Sequence, residues 1–151
     1  MDAEKIKTKW IQALDLAVSG HQVEAMLPPH VKFLHLPPIS SWKDNYIIID
    51  WQATEEAYQG SGMVFGGYIS ALADYAAGTA MLTVIEDEDL FVTQQLVVDY
   101  IKPIKAGAVL IKAEVVDTLS RNMKVIVTFT NSDGELCSEA IAHQKIINRS
   151  D

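Results

Sequence analysis

The sequence predicts an α+β domain in which a long central helix is wrapped by an antiparallel sheet, with an extra helix at the N-terminus. Three observations support this fold class. Residues 3–27 repeat apolar side chains at helical spacing, residues 66–85 form a long apolar segment, and the chain after Asp87 consists of β-rich runs separated by turn residues. Because 151 residues are the length of one domain, we expect an N-terminal helix and connector at residues 1–44 and the main fold at residues 45–151.

Composition narrows the class of partner. The chain carries 12 Lys and Arg against 20 Asp and Glu, a formal net charge of −8 that disfavours a nucleic-acid partner, since phosphates are bound by basic surfaces. A single cysteine, Cys137, excludes an internal disulfide and a paired-cysteine redox or zinc site. The four histidines lack metal-ligand spacing, so we expect no metal and no cofactor. The start of the sequence has no signal-peptide pattern, which predicts a cytoplasmic location.

The N-terminal elements follow from spacing and turn residues. Residues 3–27 are predicted to be helical because apolar side chains recur every three or four residues, and Pro28 and Pro29 end the run. Residues 30–44 contain two further prolines and are predicted to form an irregular connector. The β-branched and aromatic side chains of residues 46–53 then predict a strand.

The central segment, residues 66–85, is twenty residues long and contains one charge, Asp74. An ionised carboxylate in the middle of a bilayer costs about 2.5–3.5 kcal/mol, and glycines and hydroxyl side chains further dilute the apolar character of the segment. We therefore expect a helix that is buried on most sides within the protein, and no membrane partner.

Four strands are predicted after the central helix, at residues 91–101, 109–118, 123–130 and 136–147. They are separated by Pro, Gly, Ser, Asn and Asp, which are the residues that turns prefer. In the third strand apolar and polar residues alternate, apart from Ile126, and this alternation predicts an antiparallel sheet with one buried face.

Two adjacent glycines, Gly66 and Gly67, stand at the predicted start of the central helix, after a loop that contains further glycines. The first amide groups of a helix have no partner within the helix and lie at the positive end of its dipole, so they can stabilise an oxyanion. Glycine also lacks a Cβ atom and lets a substrate carbonyl approach closely. The alternative is that the pair only forms a tight turn between strand and helix.

Asp74 is the strongest candidate for a catalytic group. An ionised aspartate is rarely buried without a partner, and its neighbours in the central segment offer no opposite charge within one helical turn. We therefore predict that Asp74 acts as a nucleophile or a general base. The alternative is a structural role, in which Asp74 caps a backbone group or pairs with a lysine of the sheet.

The segment QGSGMVFGGYISALADYAA at residues 59–77, followed by VTQQLVVDYIKPIKAG at residues 92–107, resembles the hotdog-fold acyl-CoA thioesterases of the phenylacetate-degradation type. That family has an Asn-x-x-Gly-x-x-His-Gly-Gly loop, followed by a helix that carries an acidic residue. The resemblance covers about residues 45–147 and implies a hotdog fold that hydrolyses an acyl-CoA thioester to the free acid and coenzyme A. The matching positions in this chain are Gly62, Gly66, Gly67 and Asp74.

Two loop positions depart from the family pattern, since Phe65 stands where the family has His and Gln59 stands where it has Asn. Gln59 keeps the side-chain amide. The family His supports the loop and the substrate thioester, so its replacement affects turnover more than binding. A second function is therefore open, that of a non-catalytic module that binds acyl-CoA or an acyl-carrier protein.

The resemblance also implies roles for residues after the helix. Thr93 matches a family position whose hydroxyl orients the attacking water, although threonine is also an ordinary strand residue. Lys102 and Arg121, like Lys105 and Lys124, lie in or beside turns, where they could bind the phosphates of coenzyme A or form a solvated charged surface. The predicted catalytic residues are then Asp74, Gly66 and Thr93, and the predicted substrate-binding residues are Gln59, Gly62, Phe65, Gly67, Lys102 and Arg121.

The spacing between Gly66 and Asp74 predicts that the site is shared between two subunits. They are eight residues apart in the predicted helix, which is about 12 Å at 1.5 Å per residue. One thioester carbon cannot lie within ~3.5 Å of both groups. Two antiparallel copies of the helix across a two-fold axis would bring the N-terminus of one beside the middle of the other. The resemblance also implies such a homodimer, and a dimer of dimers (a homotetramer) is left open.

Overall fold

A computed structural model describes residues 8–19, 27–119 and 121–148 of the chain. The α+β architecture predicted from the sequence is confirmed. A short 3-10 turn at Glu55–Ala57 leads into the loop before the longest helix. The helices and strands are α1 (Lys9–Val18), α2 (Pro29–Phe33), β1 (Ser41–Lys43), β2 (Tyr46–Ala53), α3 (Gly66–Met81), β3 (Asp89–Tyr100), β4 (Gly107–Leu119), β5 (Asn122–Asn131) and β6 (Leu136–Asn148).

The strands form one six-stranded sheet in the order β1-β2-β4-β5-β6-β3, and all neighbours are antiparallel. Strand β3 therefore lies at an edge of the sheet, beside β6, although it comes before β4 in the sequence. Helix α3 packs against the inner face of this sheet. Its buried residues recur every three or four positions, and most are small enough for the helix and sheet to approach closely; they are Ile69, Leu72, Ala73, Ala76, Ala77, Ala80 and Met81.

The exposure of α3 confirms that residues 66–81 of the central segment form a helix buried on most sides, whereas residues 82–85, which the sequence predicts to continue it, lie beyond its end. Fourteen of its sixteen residues are buried or half-buried within this one chain. The two exposed residues are Gly67 and Asp74, both of which the sequence selects as functional. An apolar helix with one exposed acid and one exposed glycine presents those two groups to whatever covers that face.

The N-terminal helix is shorter within the described residues than predicted, and the connector is more ordered. Helix α1 covers ten residues, whereas the predicted helix spans residues 3–27, of which 3–7 and 20–26 lie outside the described residues. The connector at residues 30–44 contains most of α2 and all of β1, so the prediction of an irregular segment is wrong there. Pro29 explains α2, since proline is favoured in the first turn of a helix. The division of the chain at residue 44 stays a prediction.

Hydrogen bonds from aromatic side chains attach the N-terminal segment, of which residues 8–19 and 27–44 are described, to the rest of the fold. The Tyr75 hydroxyl donates to the carbonyl of Pro37 (3.0 Å), and the Tyr68 hydroxyl donates to the carbonyl of His35 (3.0 Å). On α1, the Trp10 indole donates to the carbonyl of Glu86 (3.1 Å). Burial raises the pKa of Tyr75 to about 12, so its hydroxyl stays protonated and can donate over the neutral pH range. These contacts place α1 and α2 along one side of α3.

Candidate active site

The predicted catalytic residues Asp74 and Thr93 meet between helix α3 and strand β3. The two elements run antiparallel, so Asp74 lies opposite the first half of the strand. The Thr93 hydroxyl donates a hydrogen bond to Asp74 Oδ1 at 2.9 Å. One carboxylate oxygen is thus held by the protein, and the other has no partner among the residues that the structure describes. Of the predicted set, these two residues form a direct pair.

A β-bulge in β3 makes this arrangement possible. The pairing with β6 shifts between Thr93 and Gln95, which inserts one extra residue into β3. Thr93 and Tyr100 are seven positions apart, so in a regular strand their side chains would point to opposite faces of the sheet. With the extra residue both face α3, where Thr93 contacts Asp74 and Tyr100 contacts Gly66. Bulges commonly redirect side chains beside functional sites in this way.

Gln144 is a site residue that the sequence analysis missed. It lies on β6 directly opposite Thr93 and is 1% exposed, and its Oε1 is 3.0 Å from the Thr93 hydroxyl oxygen. One hydroxyl proton serves one acceptor at a time, and Nε2 of Gln144 has no partner within the described part of the chain. With the amide turned over, Nε2 donates to the Thr93 hydroxyl oxygen and Thr93 donates to Asp74, so that the Thr93 hydroxyl both accepts and donates a hydrogen bond. The signal in the sequence is a large polar residue among the inward-facing positions of β6, whose other members are Ser138, Ala140, Ala142 and Ile146.

The start of α3 presents two unpaired amides, as predicted for an oxyanion site. No described residue accepts a hydrogen bond from the amide of Gly66 or Gly67, and the N-cap residue Phe65 supplies no capping side chain. A Cβ atom on Gly66 would lie 3.3 Å from the Tyr100 ring, and one on Gly67 would lie 2.5 Å from the Phe65 ring. Tyr100 therefore limits the space for a side chain at Gly66, whereas the exposed Phe65 ring would have to move to admit one at Gly67.

Aromatic rings stand on both sides of this helix terminus. The Tyr100 hydroxyl donates to the carbonyl of Gly66 at 2.9 Å and lies 2.5 Å from the Ser70 hydroxyl oxygen. Phe65 is 56% exposed, and its ring lies over Gly67. The sequence analysis selected Phe65 but not Tyr100, because only the bulge directs Tyr100 toward the helix.

The loop before α3 is closed by its own backbone. The backbone amide of Gln59 donates to the carbonyl of Met63 (2.9 Å), and the backbone amide of Gly62 donates to the carbonyl of Gln59 (3.3 Å). Gly62 has φ +80°, a left-handed conformation that glycine adopts without strain. Gly62 therefore serves the conformation of the loop. The Gln59 side chain is exposed, so its side-chain amide is accessible to a ligand.

The basic residues selected for coenzyme A phosphates are not brought together. Lys102 forms an ion pair with Glu135; the hydrogen bond and charge of Glu135 raise the pKa of Lys102, and those of Lys102 lower the pKa of Glu135. The backbone of Lys102 bonds to that of Cys137 at the start of β6, whereas Arg121 bonds to Ile146 near its end. Nine strand residues separate these points, or roughly 30 Å. Within one chain, Lys102 and Arg121 lie at opposite ends of the sheet.

An open cleft of about 1000 Å³ adjoins Asp74 and Thr93. It lies between α3 and the N-terminal segment, and its walls are mainly apolar. The sequence analysis did not predict it, because helical spacing in α1 indicates an apolar face without showing what that face covers.

Comparison with known proteins shows the family of this chain. Residues 61–138, which include the end of the loop before α3, α3 itself and β3, match the thioesterase superfamily. A protein of Saccharolobus solfataricus named "Putative esterase SSO2140" is 30% identical over 116 residues, which are 77% of this chain and 81% of that protein. The chain belongs to the thioesterase superfamily. Thioester hydrolysis in general is the activity that this membership supports.

Several solved structures share the fold of this chain. A "phenylacetic acid degradation-related protein" from Ralstonia eutropha JMP134 superposes with a TM-score of 0.73 at 20% identity, over 87% of this chain and 98% of that one. The smu.793 protein of Streptococcus mutans UA159, solved bound to acetyl CoA, has a TM-score of 0.65 at 25% identity, over 73% and 87% of the two chains. These matches confirm the predicted hotdog fold, and they leave the phenylacetate-degradation type within the superfamily a prediction.

Two further findings concern the residues that the structure describes. None of their helices combines the length and the apolar character needed to cross a membrane. In the same residues, no group of three or more His, Cys, Asp and Glu side chains could hold a metal ion.

Proposed function

We propose that this thioesterase-superfamily protein hydrolyses acyl-CoA thioesters to the free acid and coenzyme A. One observation carries the proposal: on an otherwise covered helix, the exposed groups are the Asp74 carboxylate and the glycine amide terminus. Acyl transfer to water requires a base and a pair of hydrogen-bond donors for the oxyanion, and a carboxylate and unpaired helix amides can fill these two roles. The acetyl CoA bound to the Streptococcus mutans relative supports coenzyme A as the carrier of the acyl group.

In the proposed reaction Asp74 is the general base. Thr93 holds Oδ1, so Oδ2 is the oxygen that accepts a proton from water. The water oxygen bonds to the thioester carbon while its proton passes to Asp74, and the carbonyl oxygen becomes an oxyanion. When the carbon–sulfur bond breaks, the thiolate of coenzyme A leaves and takes up the proton from Asp74, which returns to its starting state.

The amides of Gly66 and Gly67 are proposed to stabilise the oxyanion, with those amides supplied by a second subunit. Asp74 and Gly66 lie about two turns apart on the same helix, or roughly 12 Å, which is too far to act on one carbonyl. Edge strand β3 supports a dimer, because its outer side is unpaired among the described strands and it exposes apolar side chains such as Val92 and Val97. A two-fold axis there would create two identical sites.

The test uses the full-length chain and a panel of acyl-CoA thioesters, with release of coenzyme A followed by a chromogenic thiol reagent. We expect turnover by the wild type, and a loss of roughly 10²–10⁴-fold in kcat for Asp74→Asn, which keeps the shape of the side chain but removes its basicity. Thermal unfolding and far-UV circular dichroism of the variant control for folding. Equal activity per folded molecule in the two proteins would overturn the catalytic role of Asp74.

A second candidate function is supported by Phe65. Its exposed ring takes the position where the family has a histidine, and it lies directly over the glycine terminus. A binding module would use that ring as an apolar contact for the ligand and would have no need of turnover. Isothermal titration of the same acyl-CoA panel separates the two functions, because a module gives affinity without release of coenzyme A.

A further inference from the structure

The N-terminal segment and helix α3 enclose a cleft of about 1000 Å³, at the upper end of the volumes that hold drug-sized ligands. Asp74 and Thr93 line it, so the cleft is continuous with the proposed reacting centre. From that point it follows α3 past Gly78 to Leu82. This stretch is eight helical residues, or about 12 Å.

The walls of the cleft select for an apolar ligand without charge. Helix α1, helix α2 and the connector supply one wall, and α3 with β3 supplies the other. Among the described residues that line it there is no Lys or Arg, Asp74 is the sole acid, and the sole histidine is His30, which is exposed on α2. A carboxylate at the far end of an acyl group would meet no Lys or Arg there and would lose part of its hydration. Representative apolar lining residues are Trp10, Leu34, Leu36, Ile39, Leu82 and Phe91.

The wall built by the N-terminal segment is fixed in place. Tyr75 lines the cleft and holds the connector through its hydrogen bond to Pro37, and Trp10 on α1 is held by Glu86. Gly78 leaves space on the floor, since a Cβ there would meet only the Phe91 ring, at an ordinary contact distance of 3.5 Å. The volume is therefore a built feature of this chain.

We infer that this cleft binds the acyl chain of the substrate, and that the chain is apolar, uncharged and about eight to ten carbons long or longer. The inference rests on the proposed function and names its substrate class. Three backbone bonds of an extended polypeptide advance 3.3–3.6 Å, or about 1.2 Å per bond, so ~12 Å accommodates roughly ten bonds of an extended acyl chain. The N-terminal segment is then the specificity-determining part of the enzyme.

The first experiment measures kcat/KM for straight-chain acyl-CoA substrates from acetyl to palmitoyl, and for succinyl-CoA. We expect kcat/KM to rise with length up to about ten carbons, by as much as about fourfold per added CH2, the factor equivalent to about 0.8 kcal/mol. Succinyl-CoA should be at least tenfold poorer than butyryl-CoA, which has the same number of carbons. A flat length profile, or a preference for succinyl-CoA, would overturn the inference.

The second experiment narrows the cleft from α1. Ala17 lines the cleft, whereas its neighbour Val18 is exposed on the same helix and does not. Ala17→Phe should lower kcat/KM for decanoyl-CoA at least tenfold while leaving acetyl-CoA within about twofold, and Val18→Phe should change neither. Identical length profiles for the two variants would contradict the inference. Thermal unfolding of both variants controls for folding.

Binding of free decanoate by titration calorimetry distinguishes failure of this inference from failure of the proposed function. If no thioester is hydrolysed but decanoate binds the wild type and Val18→Phe and not Ala17→Phe, the cleft is an acyl site and the catalytic proposal fails. If thioesters are hydrolysed while decanoate binds all three proteins equally or none of them, the catalytic proposal stands and the assignment of the cleft fails.

Discussion

The two halves of the candidate site differ in how completely one chain builds them. Three elements meet around Asp74: α3 supplies the carboxylate, β3 supplies the Thr93 hydroxyl, and β6 supplies the Gln144 amide. The Gln144 side chain is 1% exposed. At the start of the same helix, Gly66 and Gly67 point unpaired amides outward beside an exposed aromatic ring. The half around Asp74, the proposed general base, is held in place by hydrogen bonds within one chain. The half at Gly66 and Gly67, the proposed oxyanion site, is open.

This difference has a physical cause. A carboxylate that must accept a proton in a defined direction needs hydrogen bonds that fix its orientation, and these come from neighbouring strands. Amides at a helix terminus are already oriented by the helix and need only remain free. Under the proposed function, the open half is completed by a partner that places a carboxylate opposite it, and a second copy of this chain would supply one.

The largest expected effect comes from mixed dimers in which one chain carries an Asp74 variant and the other carries a Gly66 variant. Asp74→Ala removes the base and Gly66→Val drives a branched side chain into the Tyr100 ring, so each homodimer should be inactive. In a randomly mixed sample half of the dimers are mixed, and each has one intact site of two, so about a quarter of wild-type activity should return. Activity is measured after the two chains are refolded together.

The control for this mixing experiment is Gly60→Val, in the same loop but with no atom within 4 Å of the added Cβ, which should retain activity alone. If mixed samples of Asp74→Ala and Gly66→Val remain inactive while size-exclusion chromatography shows that they have exchanged subunits, each chain owns a whole site. The amides of Gly66 and Gly67 would then not depend on a second chain.

The next largest effect concerns the stability of the wall beside Asp74. Burial raises the pKa of Tyr75 from 10.0 to about 12, so between these values the unfolded chain loses a proton that the folded chain keeps. The contribution is fully present below pH 10, and the free energy of unfolding falls by about 2–3 kcal/mol as the pH rises to 12. Tyr75→Phe should remove that part of the slope.

At pH 7, Tyr75→Phe should cost about 1 kcal/mol, since it removes the hydrogen bond to the carbonyl of Pro37. Urea unfolding of wild type and variant at pH 7, 10 and 11.5 measures both effects. Parallel pH profiles for the two proteins would show that Tyr75 has the same pKa in the folded and the unfolded chain. The connector would then be held by other contacts, and the half around Asp74 would depend less on its polar groups than on apolar packing.

A smaller effect is expected at the buried amide. Gln144→Leu removes the group that orients Thr93, and we expect kcat to fall about tenfold, equivalent to roughly 1.4 kcal/mol, with little change in KM. Thr93→Val should give a similar loss, and the double variant should lose little more than either alone, because both act through Asp74. The exposed Gln95→Leu on β3 is the control. Additive losses would mean that Gln144 does not act through Thr93.

These residues also show how far the sequence alone could reach. It predicted α3, the acid Asp74 within it and its glycine start, because a charge in an apolar helix and paired glycines are local signals. The exposure of Asp74 is a finding of the structure. The Thr93–Gln144 pair depends on the register of β3 against β6, and the direction of Tyr100 depends on a bulge. Such features arise from pairing between strands about fifty residues apart, and alternation within one strand does not encode them.

The smallest expected effect tests the open half directly. Phe65→His restores the residue type that the family has at the loop, and Phe65 is exposed, so the change should leave stability within about 0.5 kcal/mol. An imidazole beside the Gly67 amide can donate a hydrogen bond to the thioester oxygen, which a phenyl ring cannot. We expect kcat to rise severalfold at nearly constant KM, measured on the acyl-CoA substrate that the wild type prefers.

A loss of tenfold or more in kcat would show instead that the aromatic ring itself contacts the substrate. The open half would then be specialised in this chain, with Phe65 as a binding group that favours an apolar ligand.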